Sequence, residues 1–185
     1  AYIQANSSQN QRNGLGNGLE IQGTLTKAPI YPGAELQYYT GFSSSNRLWQ
    51  MYNSNLDFGT GDYFMSVWAY GGGNSQTMMV RERSDTDAHG ALLLFLHDDK
   101  YQFYSRTNGT SSWTSFASNV EFGTHWVQVY LVRRGNTLEG YCNGILQGST
   151  AFSGSTIGGS VGAEISIGAR NGHGQAYSGR LALAK

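Results

Sequence analysis

Charge is scarce in this chain of 185 residues: Asp, Glu, Lys and Arg together make up 13% of it, about half the usual globular share of ~25%. Basic and acidic residues balance at 12 each, for a formal net charge of zero. The balance argues against a nucleic-acid binder that relies on a broad positive field, and against a basic membrane-surface module. Cys142 is the single cysteine, which excludes disulfide stapling within the chain and all-cysteine zinc sites. The longest apolar run, Ala91 to Leu96, falls far short of the roughly 20 residues of a membrane helix. No amphipathic helical periodicity is present. His89, His97, His125 and His173 show no His-x-x-x-His spacing, so a catalytic zinc site is not expected. No Gly-x-Ser-x-Gly elbow occurs, and Gly71-Gly-Gly73 and Gly158-Gly159 are turn glycines without a following helix, hence not phosphate cradles. The segment opens at Ala1 with neither an initiator Met nor a signal-like stretch, and it ends in mid-pattern at Lys185. The expectation is a processed product or a piece of a longer protein.

Glycine is abundant, with 26 residues, and half of the 24 aromatic side chains are tyrosine. Apolar residues reach 39%, enough to build a core. Their period is two almost throughout, punctuated by Gly, Asn and Ser, which predicts an all-β sandwich or barrel in one domain. Residues 1–18 are polar and read as a loose arm, and 19–185 as the folded domain. The expected strands are Leu19–Thr26, Glu35–Phe42, Arg47–Tyr52, Asp62–Tyr70, Thr77–Arg83, Ala91–His97, Tyr101–Arg106, His125–Arg133, Thr137–Cys142, Ile145–Gln147, Ala163–Ala169 and Ser178–Ala184. Ala91–His97 is apolar on both faces, as a central strand covered on both sides would be. Asp98-Asp99 and Asn143-Gly144 read as hairpin turns, the latter because both residues accept positive φ. Met65, Val67, Leu92, Leu94, Phe103, Val127, Val129, Leu131 and Ile167 have the size and period of inward core positions.

Several stretches, in order, resemble laminin-G-like modules of the concanavalin-A-like lectin/glucanase superfamily. The carriers are Asp57-Phe-Gly-Thr-Gly-Asp-Tyr-Phe-Met-Ser-Val-Trp68, His125-Trp-Val-Gln-Val-Tyr-Leu-Val-Arg133, Leu138-Glu-Gly-Tyr-Cys-Asn-Gly144 and Ile165-Ser-Ile-Gly-Ala-Arg170. Upstream, Gly41-Phe-Ser-Ser-Ser-Asn46 through Phe58 resembles the version found in bacteriophage virion proteins, on tail fibres or as capsid decoration. The resemblance implies an antiparallel jelly-roll sandwich of two sheets, a location on a virion surface or otherwise outside the cell, and a role in glycan binding or adhesion.

The glucanase branch of that superfamily cleaves β-glycans with two carboxylates held about 5–5.5 Å apart. A Glu-x-Asp-x-Glu strand would deliver them to one cleft, but Glu20, Glu35, Glu82, Glu121, Glu139 and Glu164 are scattered singly. No enzymatic activity is therefore expected. Glycan binding instead needs aromatic faces for sugar C–H surfaces and planar polar groups for hydroxyls. The richest loop for this is Arg170, Asn171, His173 and Tyr177, followed by Arg81, Arg83, Trp113, Trp49 and Tyr104; the competing reading for each aromatic is a half-buried sandwich position. Trp68 and Trp126 read as core or sheet packing. Asp85 and Asp87, with His89 nearby, could supply hard oxygen ligands to Ca²⁺, against the plainer reading of a solvated hairpin loop.

Three functions follow in order: a non-catalytic module whose partner is a host glycan or glycoprotein; a structural virion unit that contacts other virion proteins or its own copies through the 1–18 arm; and a β-glycan hydrolase. Neither nucleic acid nor membrane insertion is expected. A calcium site at Asp85 and Asp87 would raise the melting midpoint in Ca²⁺ over that in EDTA, since a ligand bound only by the native form stabilises it; coincident midpoints would remove that site.

Overall fold

The computed structural model describes residues 19–52, 54–83, 89–156 and 163–185. Asp85, Asp87, the 1–18 arm and the side chain of Arg83 lie outside the described residues. Fourteen strands are formed: β1 (Glu20–Gln22), β2 (Thr26–Pro29), β3 (Gln37–Thr40), β4 (Arg47–Gln50), β5 (Tyr63–Tyr70), β6 (Gln76–Arg83), β7 (Ala91–His97), β8 (Lys100–Arg106), β9 (Trp113–Glu121), β10 (Trp126–Arg134), β11 (Thr137–Cys142), β12 (Ile145–Ala151), β13 (Ala163–Ile167) and β14 (Arg180–Ala182). They make two seven-stranded antiparallel sheets. The first runs β1-β4-β13-β6-β7-β8-β9 and the second β12-β11-β10-β5-β14-β3-β2. Stacked face to face, they form the jelly-roll sandwich that the family resemblance implies, one of the two all-β architectures the alternation allows.

Pleating explains the core. In β5, Tyr63, Met65, Val67 and Ala69 are buried between the sheets, and Val129 and Val127 of β10 stand directly opposite Val67 and Ala69. From the other sheet, Leu92, Leu94 and Leu96 of β7 meet Tyr101 and Phe103 of β8. All nine residues expected in the core are buried. Each such side chain contributes roughly 1.5–3 kcal/mol of burial. β7 is apolar on its other side too, because Leu93 and Phe95 are covered there by a second small cluster.

Two turns follow their side chains. Asn143 and Gly144 both adopt positive φ, as do Asp98 and Asp99, the conformation that tight hairpins require. Two differences from the sequence reading have physical causes. The stretch expected as one strand from Leu19 divides into β1 and β2, which belong to different sheets. Gly23, at φ +72°, turns the chain between them, and Asn46 Oδ1 accepts a bond from Thr24 N there at 3.0 Å. β9 has no counterpart among the expected strands. It is an edge strand of Thr, Ser, Ala and Asn with few apolar inward positions, so its alternation is faint; Phe116 stacking on Phe103 at 5.2 Å is its main anchor.

Cys142 points inward from β11 with 2% exposure, and burial pushes its thiol up to about 12. Only thiolate reacts readily with disulfide reagents. Ellman's reagent at mildly alkaline pH should therefore leave the native protein unmodified and titrate its single thiol once guanidinium unfolds it. Rapid reaction of the native form would contradict this packing.

Candidate functional site

The outer face of the first sheet carries the largest gathering of the residues singled out in the sequence. Its floor is apolar: Val80, Leu93 and Phe95 are buried, with Tyr104 and Trp113 packed against them. Phe95 meets Tyr104 edge-on at 6.2 Å, and Tyr104 meets Trp113 edge-on at 5.7 Å. The register explains this row, since Leu93 pairs with Tyr104, and Ala91 with Arg106, which in turn pairs with Trp113. The Arg106 guanidinium lies 4.5 Å from the centre of the Trp113 ring, and its Nε donates to the His89 carbonyl at 2.8 Å.

Beside this row stand two carboxylates. Glu82 of β6 and Glu164 of β13 are direct cross-strand partners on the same face. Like charges so placed repel, and each is compensated separately. Arg170 forms a two-pronged ion pair with Glu82, through Nε to Oε1 and through Nη2 to Oε2 at 2.7 Å. Arg47 Nη2 lies 3.4 Å from Glu164 Oε1, while its Nε donates to Gln22 at 2.7 Å. Burial nevertheless raises the Glu164 pKa, with the Arg47 charge and the nearby Asn171 side chain pulling the other way and Glu82 adding to the rise.

Arg170 reaches this face because the chain leaving β13 turns sharply. Gly168, at φ +83°, packs so closely on Phe42 that any Cβ would enter the ring. The following loop is pinned by Tyr177 N to Gly168 O at 2.7 Å and Thr77 N to Gln175 O at 2.9 Å. Within it, His173 N donates to Arg170 O at 3.2 Å. Asn171 and His173 are half-buried, and the Arg170 guanidinium stands 5.8 Å from the Trp113 ring centre. Arg170 and Trp113 thus come together, with Tyr104 beside Trp113 and Asn171 next in the chain to Arg170.

Two residues expected at a sugar surface lie elsewhere. Tyr177 is wholly buried; its hydroxyl donates to the Gly71 carbonyl at 2.9 Å, and burial raises its pKa. The loop re-enters the sandwich before Tyr177, so the ring is core. Arg81 is 1% exposed because β6 sends it inward, opposite Leu92 and Ile165. It pairs with Asp57 and donates to the Thr156 carbonyl at 2.7 Å, while burial lowers its pKa and Asp57 opposes that. Neither side chain is offered to a ligand. Trp49 is half-buried on the outer face, across β13 from Val80. Glu164, Arg47 and Arg106 were missed as members of this site. The signal available was parity: Glu164 and Ser166 alternate with the apolar Ala163, Ile165 and Ile167. Among the described residues no cluster of three metal-ligating side chains occurs.

With this geometry in place, comparison with known proteins is informative. A model of the concanavalin A-like lectin/glucanases superfamily matches residues 38–184, and the chain belongs to that superfamily. No curated protein sequence matches it. Among solved structures, one similar fold is domain 4 of AbnA, a GH43 extracellular arabinanase from Geobacillus stearothermophilus, in complex with arabinotriose. It aligns at a TM-score of 0.76 and 14% identity, over 100% of this chain and 89% of that one. Another is the binding domain of Paraclostridial Mosquitocidal Protein 1, at a TM-score of 0.66 and 13% identity, over 90% and 43%. A third is the receptor binding domain of botulinum neurotoxin C/D mosaic serotype, at 0.65 and 13%, over 98% and 48%. The chain spans less than half the length of the two toxin domains. At these identities the likeness is one of fold.

The Glu82–Arg170 pair is shielded, with side-chain exposures of 3% and 11%. Removing one partner of a buried pair strands the other charge. Arg170→Ala should lower the unfolding free energy by about 3–5 kcal/mol, and adding Glu82→Ala should restore part of the loss. Urea unfolding of both variants checks this, and a double variant as unstable as the sum of the two single variants would show that the charges do not compensate each other.

Proposed function

We propose that this chain is a non-catalytic carbohydrate-binding module that recognises a host-surface glycan from the surface of a phage virion. The observation that carries the reading is the outer face of the first sheet. There a half-buried Trp113 ring is packed against Arg106 and Tyr104, with the Arg170 guanidinium 5.8 Å from its centre, and Arg170 opens the pinned loop that carries Asn171 and His173. A flat ring next to planar polar groups suits a sugar, whose C–H face stacks while its hydroxyls take hydrogen bonds. Arg170 and Glu82 act beneath as positioning residues, since each already satisfies the other. The complex of the AbnA domain with arabinotriose is a precedent for a fold of this kind holding a saccharide. The phage setting rests on the resemblance of the Gly41–Phe58 stretch to virion modules.

The absence of catalysis is argued from the same carboxylates. A glycosidase needs one free carboxylate nucleophile and one acid facing the substrate. Glu82 is 2% exposed, with both oxygens engaged by Arg170. Glu164 lies against Arg47, 3.4 Å away, with 12% of its side chain exposed. Both carboxylates are thus set against arginines rather than presented to a substrate.

Titration calorimetry with arabino-oligosaccharides, following a glycan array, tests the reading. Saturable binding should fall by roughly tenfold or more in Trp113→Ala, as expected for loss of an aromatic stacking surface, and should also weaken in Asn171→Ala. Urea unfolding run in parallel separates this from loss of fold. Silence on every sugar, with a stable oligomer that dissociates when residues 1–18 are deleted, would replace the reading with a structural virion role. Release of reducing ends from a β-glucan, abolished in Glu82→Gln, would make the chain an enzyme.

A further inference from the structure

The outer face of the second sheet has no role in the site above, yet it holds several partly exposed aromatic side chains. Outward parity in β5 presents Phe64, Trp68 and Tyr70; β10 adds Trp126, opposite Tyr70, and Tyr130, opposite Ser66, and β11 adds Tyr141 beside Tyr130. At one end Tyr70 is flanked by Trp126 on β10 and by Arg180 on β14, and Tyr38 leans in from β3. The rings are mutually tilted, with centres 5.5 Å apart for Tyr70 and Trp126 and 6.1 Å for Tyr38 and Trp126. Phe64 is exposed and the other rings are half-buried, so each of those keeps one part packed and another in solvent.

Arg180 sits among them. Its guanidinium carbon lies 4.9 Å from the centre of the Tyr38 ring and 4.8 Å from that of Tyr70. Among the described residues no carboxylate pairs with it. The other arginines of known surroundings differ: Arg47, Arg81, Arg134 and Arg170 each face a carboxylate, and Arg106 and Arg133 each donate to backbone carbonyls. Glu139, the carboxylate on this face of β11, is engaged by Tyr141 at 2.8 Å and by Arg134 at 3.6 Å. A cation stacked between two rings is fixed in direction, and its planar edge of N–H donors remains available for a bidentate anion. Rings that accept C–H faces and a guanidinium that accepts a carboxylate describe one ligand chemistry.

We propose that the outer face of the second sheet is a second saccharide site, specific for sugars that carry a carboxylate. A pyranose stacks on Trp126 and Tyr70, and its uronate group pairs with Arg180. This site is separate from the Trp113 face and does not rest on the reading given to that face.

Calorimetry with an oligogalacturonate, run beside a neutral arabino-oligosaccharide, tests it. The wild-type chain should bind the oligogalacturonate, with affinity falling as salt rises, because the pair is exposed to screening. Arg180→Gln should weaken that binding by roughly tenfold or more, the value of a charge-assisted hydrogen bond. It should leave any neutral-sugar binding at the Trp113 face unchanged. Trp126 emission should shift on adding oligogalacturonate, whereas Trp113→Ala should bind it normally. The proposal is overturned if the wild-type chain ignores oligogalacturonate, if Arg180→Gln binds it equally well, or if Trp113→Ala is the variant that loses it. In the last case the acidic sugar belongs to the first face, and the carbohydrate-binding reading stands without a second site. Should Arg180→Gln unfold, Tyr38→Phe and Tyr70→Leu keep the test open: the first should retain binding and the second weaken it.

Discussion

A pleated strand sends adjacent side chains to opposite sides, and in β6 this rule separates Arg81 from Glu82 by the full thickness of a sheet. Both are charged, and neither can be left alone in a poorly solvated setting. The inward charge is met by Asp57 and by the Thr156 and Gly90 carbonyls, which ties three distant parts of the chain to one guanidinium. Arg133 repeats the device from the opposite sheet, collecting the carbonyls of Gly154, Gly59 and Gly135. Chain connections at that end of the sandwich are therefore held by buried cations more than by apolar contact. Among the described residues the outward charge, Glu82, is answered by Arg170, which comes from the segment after β13. The position of the Arg170 guanidinium near Trp113 is a consequence of that demand.

The same rule decides what could be read from the sequence. Strands with two strongly apolar inward positions, such as Met65 and Val67 or Val127 and Val129, declared both their period and their face. The turns at Asp98 and Asn143 declared themselves through residues that tolerate positive φ. β9 did not, because an edge strand needs little apolar content to be held by one neighbour. The candidate site was half legible. Arg170, Asn171 and Trp113 could be picked out as residue types suited to sugars, but whether Tyr177 or Arg81 faced solvent depended on parity within a loop and on a half-buried acid 24 positions away. Pairing between Glu82 and Glu164 is a property of strand order, which brings β13 beside β6, and no local pattern carries strand order.

Trp68 and Trp126 illustrate a further gap. Their alternation with Val67 and Val127 fixes them to the face opposite the core, and both indoles are only half-buried on the outer face of the second sheet. Sheet packing and surface display are the same state there, since a large ring lying along strands is covered by its neighbours on one side only. Residue type could not distinguish a ring kept for packing from one kept for contact. The arginine between Tyr38 and Tyr70 is the feature the proposal turns on, a cation against two rings that among the described residues faces no carboxylate.

A sandwich core of about 10 Å separates the two outer faces, and its inner side chains leave no room for one face to reshape the other. Ligands on the two faces, where both bind as proposed, would therefore add without allosteric coupling, each seeing a preformed surface. Single sugar contacts of this type are weak, because a flat face excludes water from only one side of the ligand. Gain then comes from geometry: a polysaccharide long enough to touch both faces, or an array of modules on one particle, turns the second contact into an intramolecular one. Scarce charge suits that arrangement. With a net charge of zero, many copies can stand close together without long-range repulsion, and selectivity is left to the few guanidinium groups whose direction the rings around them fix.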